Sequence, residues 1–428
     1  MPQNPFIVGQ PAPPECFIGR ESQIEIAFDQ ISKRGNLAIW GGPGMGKTSF
    51  LNLLTSTEVW QLHGQDPDAA AIVLFNCLSI EPFTPDRFWR SILSLIKSKL
   101  DRNSSLQTDI DRLLAKDPVT ANDLLQLLRQ LGQNNQFLVL LVDDYDAALR
   151  THERYQEADM EAFLSECRSI AYFAEERKYI STIVASSRRL NELGPQLTPN
   201  KSPWYNHYSF QALKPFTDGE VAALLLGMPM TPALREGIRE IADGNPALLQ
   251  NAGSLLYQEL RAGRVPDPET FTREFQTRTQ HFFQATWELC KPLEQILLML
   301  IALHNLEGRL SNQRYALSGI ENIFGHKEIE MMSLEMRGII RQTEQAGKTT
   351  YLFASALMEW WVVKKIQNSS ETELQERQKI FLNLMSHKQA EKVTAVVRWM
   401  WEHKDEVPSI LEWIGKVIAA LPKGAIQG

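Results

Sequence analysis

Cysteine is scarce in this chain of 428 residues: Cys16, Cys77, Cys167 and Cys290 lie far apart and form no C-x-x-C pair. That spacing argues against a disulfide framework or a cysteine zinc site and points to isolated thiols in a reducing compartment. Long apolar runs are missing too. The longest, Ile296 to Leu303, is too short to span a bilayer, and the polar, proline-rich N-terminus offers no apolar stretch for a signal peptide. A cytoplasmic protein without a membrane partner is expected. Nor is there an excess of positive charge. Lys and Arg number 44 against 51 Asp and Glu, a net charge of −7, which argues against coating nucleic acid or anionic lipid through bulk charge. No internal repeat or low-complexity segment is found. The length exceeds what one core usually holds, so two to four domains are expected.

What is present centres on the stretch from Leu37 to Leu54. An apolar run reads as a strand, a glycine-rich turn follows, and an amphipathic helix comes next. Gly41 to Thr48 fits G-x-x-x-x-G-K-[ST]. Glycines let the backbone curl so that successive N–H groups face a β-phosphate. Gly42, Pro43, Gly44, Met45, Gly46, Lys47, Thr48 and Ser49 are therefore the expected ATP-binding residues. Lys47 would neutralise the β- and γ-phosphates, the Thr48 hydroxyl would coordinate Mg²⁺, and the helix would add the positive end of its dipole.

Around this loop the chain reads as an α/β domain. Ala71 to Asn76, Phe137 to Val142, Ile180 to Ala185 and His207 to Leu213 are short apolar runs suited to buried parallel strands. Helical periodicity occupies Phe88 to Leu100, Leu124 to Leu131 and Ala158 to Glu176. Three acids in four residues, Asp143, Asp144 and Asp146, close the second of these strands after the loop. In an open parallel sheet the carboxyl ends of strands face the ligand. Asp143 is the candidate water-mediated Mg²⁺ partner, and Asp144 the candidate for polarising the attacking water. Ser186-Ser-Arg-Arg-Leu190 closes the next strand, with cations placed to meet phosphate oxygens. Before the domain runs an extended arm carrying Pro2, Pro5, Pro11, Pro13 and Pro14. After it, Thr217 with Glu220 forms a capping box, and Ala242 to Gln250 reads as a helix end, a tight turn and a new helix starting at Pro246. From Ala285 the pattern is a helix through Leu303, a short helix near Gln313, a third over Lys327 to Met336, and a hairpin turning at Gln345 to Lys348. This is the winged-helix plan. The rest reads as two or three helices with Trp399, Trp401 and Trp413 packed in a small bundle.

Several motifs then occur in a recognisable order. Phe17-Ile-Gly-Arg-Glu21 resembles the "hhGRE" box that lines the adenine pocket in AAA+ and STAND ATPases. Ser187-Arg188 resembles their sensor-1 position, and Gly244-Asn-Pro246 resembles the "GxP" motif of the STAND lid. Phe17 to Phe353 therefore resembles a STAND-type P-loop NTPase, an AAA+ relative of the NACHT and NB-ARC groups. The resemblance implies a P-loop nucleotide-binding domain (17–213), a helical lid (214–284) and a winged-helix domain (285–367), and the residue pattern adds an extended N-terminal arm (1–16) and a C-terminal helical region (368–428). It makes Ile18 and Gly19 adenine neighbours, gives Arg188 the γ-phosphate and sets Pro246 against the base. It also implies slow ATP hydrolysis and a homo-oligomer that assembles when ADP gives way to ATP. No sensor repeat or effector is recognisable, so a protein partner is expected to supply one. There is no unambiguous arginine finger, and no winged-helix histidine that would hold ADP can be placed.

The alternative is an AAA+ DNA-loading ATPase of the kind found in replication initiators and transposition regulators. Charge separates the two. From 285 to 365 nine Lys and Arg are matched by nine Glu, and the third helix carries Glu328, Glu330 and Glu335. Such a face is a poor ligand for phosphates. DNA is the less expected partner, and Arg337 and Arg341 are the cations through which binding would run.

Overall fold

Apolar strands buried on both faces assemble the first half of the chain around one parallel sheet. The computed structural model describes residues 4–100, 105–196, 202–226, 231–262, 264, 266–310, 315–317, 319–345 and 348–421. The chain divides into an α/β unit, Pro11–Gly41 with Gly46–Leu213, and a helical unit, Met1–Gln10, Gly42–Met45 and Lys214–Gly428. The tip of the glycine-rich loop thus groups with the helical unit.

In the α/β unit, β1 (Asn36–Trp40), β2 (Ala70–Asn76), β3 (Phe137–Asp143), β4 (Ile180–Ser186) and β5 (Ser209–Ala212) form a five-stranded sheet in the order β2-β3-β4-β1-β5. All neighbours are parallel. Every residue of β1 and β3 is buried, as near-continuous apolar runs covered on both faces must be. The register sets Asn76 beside Asp143 and Trp40 beside Ser186, so the polar residues that end these strands emerge along one edge. Helices Glu21–Lys33, Lys47–Leu53, Pro85–Lys99, Ala121–Gln133 and Glu157–Tyr172 accompany the sheet. Phe83, Phe88, Trp89 and Phe163 form an interlocked aromatic cluster in the core, with ring centroids 4.9 to 5.8 Å apart. Two helices had no counterpart in the sequence reading, Thr57–Leu62 and Ser105–Leu114. The first is short and is anchored by the wholly buried Trp60, whose indole donates to Leu54 O at 2.8 Å. The helix expected to reach Glu176 ends at Tyr172 and continues as a 3₁₀ turn over Glu175–Tyr179.

Proline punctuates the helical unit. Pro232, Pro246, Pro268 and Pro292 each open a helix, where the missing N–H costs nothing and the fixed φ suits the first turn. Helix Pro268–Glu288 runs across position 284/285, where the sequence reading placed the start of a separate module. The break falls at Leu289–Lys291, where Pro292 cannot continue a helix and the Lys291 N–H is taken by Glu294. After Pro292–Asn305 come Ile320–Gly325, Glu328–Met336 and an antiparallel ribbon of β6 (Ile340–Gln345) and β7 (Lys348–Phe353). The helix expected near Gln313 lies outside the described residues, as do Ala346 and Gly347 of the expected turn. Helices Ala356–Gln367, Glu371–Leu384, His387–Glu402, Ile410–Trp413 and Gly415–Ala420 complete the chain. The three tryptophans pack on different neighbours: Trp413 under the Arg309 guanidinium, Trp401 on the Ile366 carbonyl and Trp399 on the His403 ring. Among the described residues no helix is long and apolar enough to cross a membrane.

Candidate functional site

In the α/β unit the site is built from strand ends and one helix start. Gly46 takes φ +83° and caps helix Lys47–Leu53, a left-handed turn that glycine adopts without strain. Lys47 Nζ donates to Gly41 O at 2.8 Å, and Gly41 N donates to Ser186 O at 3.2 Å. Thr48 Oγ1 donates to Asp143 Oδ2 at 2.7 Å, and the Asp144 N–H donates to Asp143 Oδ1 at 3.0 Å. Burial raises the Asp143 pKa against the Thr48 hydrogen bond, with the neighbouring Asp144 adding to the rise. Burial lowers that of Lys47, while Asp146, Asp143 and Asp144 oppose the fall. Asp144 sits at φ +48°, a conformation that Asp and Asn tolerate better than other non-glycine residues. Its Oδ2 accepts from Asn76 Nδ2 at 2.8 Å. Asp146 accepts from the Ser187 N–H at 2.9 Å and from its hydroxyl. Arg188 is 4% exposed and ion-paired with Glu192, Nε to Oε2 at 3.0 Å.

The adenine candidates stand at the entry to helix Glu21–Lys33. Gly19 has φ +69° and Arg20 φ +68°, and the Phe17 ring packs 6.3 Å from Phe50 on the loop helix. Ser49, the last expected loop residue, accepts at Oγ from the Ala12 N–H at 2.9 Å.

The remaining site candidates belong to the helical unit. Pro246 is the first residue of helix Pro246–Arg261, and Asn245 caps it, its Oδ1 accepting from Ala247 N at 3.1 Å and Leu248 N at 3.2 Å. Asn245 Nδ2 donates to Pro43 O at 3.1 Å, and Ala247 N donates to Gly44 O at 3.2 Å. The turn before Pro246 therefore holds the tip of the phosphate loop. Gly44, at φ +78°, has no room for a side chain, since an added Cβ would stand 2.8 Å from both Ala247 Cβ and Asn245 Oδ1. Arg337 is buried and paired with Glu294 at 2.9 Å, which removes it from the cations that could meet DNA. Arg341 pairs with Asp243 at 3.5 Å.

Residues 30–193 match the AAA domain family. This segment is similar to an AAA domain and has the P-loop NTPase fold. A Walker-type ATPase of Pyrococcus abyssi superposes with a TM-score of 0.51 at 16% identity, over 84% of this chain and 99% of that one. The ORC2 protein of Aeropyrum pernix, solved as ADPNP–ADP complexes, gives 0.47 at 17% identity over 81% and 92%. No curated protein matches the chain.

Four residues that sequence reading passed over shape this P-loop domain and the loop tip: Asn76, Asp146 as a partner of Ser187, Glu192 and Asn245. Asn76 could have been found from its place at a strand end next to the acidic one. The spacing of Arg188 and Glu192, four residues apart, also signals a pair. Nothing local marks Asn245 as a loop contact. A separate cavity of about 460 Å³, lined by residues including Ala158, Glu161, Arg168 and Trp204, contains none of these groups, so residue chemistry and not volume locates the site.

Proposed function

We propose that this chain binds ATP with Mg²⁺, hydrolyses it slowly, and works as a cytoplasmic STAND-type switch whose nucleotide state controls assembly or partner engagement. The observation that carries the reading is the grip of Asn245 and Ala247 on the carbonyls of Pro43 and Gly44. A helix start tied directly to the phosphate loop responds to how that loop is occupied, which is the differential contact a switch requires.

The residues fit the groups invoked. Lys47 is the cation for the β- and γ-phosphates, and leaving Gly41 O for phosphate exchanges a neutral acceptor for a charged one. Mg²⁺ keeps most of its waters and takes one or two protein oxygens besides phosphate; the Thr48 hydroxyl would hold the ion directly, and Asp143, hydrogen-bonded to it, through a bound water. Bound there, the ion would offset the charge that develops on transfer. Asp144, oriented by Asn76, holds the attacking water. Ile18, Gly19 and Pro246 are assigned to the base. Arg188 is assigned to the γ-phosphate, and to reach it must give up Glu192. That exchange of one anion for another yields little net free energy, whereas moving a two-state population from 1:99 to 99:1 takes about 5.5 kcal/mol. A partner or trigger therefore acts together with ATP. The DNA-loading alternative loses Arg337 to the interior and finds Arg341 already paired.

Sizing of the purified protein with ADP and with a non-hydrolysable ATP analogue, each with and without duplex DNA, tests the proposal. A size that depends on nucleotide in the presence of a trigger supports it. Tight, steeply salt-dependent DNA binding would favour the loader.

A further inference from the structure

Residues 4–8 of the arm lie on helix Pro246–Arg261, and Asn4, Phe6 and Ile7 meet one stripe of that helix. Asn4 Nδ2 donates to Ser254 Oγ at 3.1 Å, and the Ile7 N–H donates to Gln250 Oε1 at 2.9 Å. Asn4 Oδ1 accepts from the Phe6 N–H at 3.0 Å and folds the segment into a tight turn. Phe6 is 6% exposed and meets the Tyr257 ring edge-on, with centroids 6.3 Å apart. It lies over Gly253, where an added Cβ would stand 2.3 Å from Phe6 Cε1. Gln250, Gly253, Ser254 and Tyr257 are spaced i, i+3, i+4 and i+7, hence on one face. Glycine inside a helix is unfavourable relative to alanine, and here its bare backbone is what admits the ring.

We propose that this stripe is a peptide site whose resident ligand is the chain's own Asn4-Pro-Phe-Ile-Val8, a clip that holds the helix in the position from which Asn245 and Ala247 grip the phosphate loop. Polar ends fix the register: Gln250 reads a backbone N–H, Ser254 reads the Asn4 amide, and the apolar centre takes one aromatic ring. The stripe begins one turn after Pro246, so the same short helix is held at its start by the loop tip and along its side by the arm. Beyond the clip the chain passes through Gly9, at φ +79°, and Gln10. A glycine in that conformation lets the segment swing without strain. The groove needs no nucleotide to exist, whereas its influence on the loop rests on the function proposed above.

Full-length protein carrying Phe6→Ala, whose own arm lacks the ring, is titrated with a fluorescent peptide of residues 4–10. The peptide should bind this variant at least tenfold more tightly than wild type, where the groove is filled in cis. A Phe6→Ala peptide should not bind, and Gly253→Val added to the variant should abolish binding. Hydrogen exchange of the amides of 248–257, measured without nucleotide, should rise at least tenfold in Phe6→Ala and fall again on adding peptide. No peptide binding together with unchanged exchange would overturn the clip. Release of a fluorescent ADP should quicken about fivefold or more in Phe6→Ala and be restored by the peptide; normal release despite a vacated groove would overturn the link to the loop. A wild type that binds no ADP would refute the nucleotide reading, while peptide binding and exchange would still decide the clip.

Discussion

Replacing Asn245 by serine separates two jobs that one side chain performs. Its Oδ1 caps helix Pro246–Arg261 through Ala247 N and Leu248 N, while its Nδ2 donates to Pro43 O. Serine is an equally good cap but cannot reach the loop carbonyl with a second donor, so Asn245→Ser should keep the cap and lose only that hydrogen bond, about 1 kcal/mol of stability. Alanine removes both contacts, and Asn245→Ala should cost about 1 kcal/mol more than serine, the usual worth of a cap. The hydrogen bond to the loop contributes on the order of 1 kcal/mol, roughly a fivefold change in a dissociation constant. Both variants should therefore weaken binding of ATP by a similar, roughly fivefold factor if the grip preforms the loop. Urea denaturation measures the first difference and a titration with Mg·ATP the second. A serine variant that binds ATP as wild type does would refute the claim that this turn shapes the loop. Equal stability of the serine and alanine variants would refute the cap.

Three further outcomes follow from the geometry. Asp143→Asn should weaken Mg²⁺-dependent ATP binding, whereas Asp144→Asn, which tolerates φ +48° and can still meet Asn76, should bind normally and hydrolyse at least tenfold more slowly; wild-type turnover in both would show that this strand end is not the catalytic edge. Arg337→Ala removes the cation from the buried pair with Glu294, 1% exposed, and should cost about 3–5 kcal/mol by chemical denaturation, while Arg341→Ala, half exposed beside Asp243, should cost under about 1 kcal/mol; equal losses would contradict the buried pair. The Glu359 carboxyl is pushed up to about 7 by burial, against a hydrogen bond with Asn305 and the pull of Arg309. The folded state then keeps a proton that the unfolded chain has released, so stability should fall as pH rises from about 4.5 to 7, by roughly 3 kcal/mol in all. Glu359→Gln should flatten that slope, and thermal melts of the two proteins across the range decide the point.

Much of the P-loop domain was legible because its signals are local. Apolar runs such as Phe137 to Val142 read as buried strands, and the carboxylates after them then stand at the carboxyl edge of a parallel sheet. The loop from Gly41 to Thr48 fixes its own conformation through glycine and its own chemistry through Lys47. What could not be read is what depends on residues distant in sequence. Asn245 and Pro43 are about two hundred positions apart, and a capping asparagine looks the same whether or not its free amide meets a carbonyl. Arg337 reads as a surface cation until helix Pro292–Asn305 brings Glu294 against it. Phe6 reads as a stray aromatic in a proline-rich arm until Gly253 supplies the gap it fills. The helix expected from Ala285 through Leu303 is two helices instead, since a helix of 21 residues crosses 284/285 and Pro292 opens the next one.

The account stands or falls on the phosphate loop. Titration calorimetry of Mg·ATP into wild type and Lys47→Ala, in the same buffer and with matched folding by circular dichroism, tests it most directly. Loss of a charge-assisted contact of about 1.5–3 kcal/mol predicts at least tenfold weaker binding in the variant. Equal affinity in the two proteins, or no heat and no competition with a fluorescent nucleotide in wild type, would contradict it.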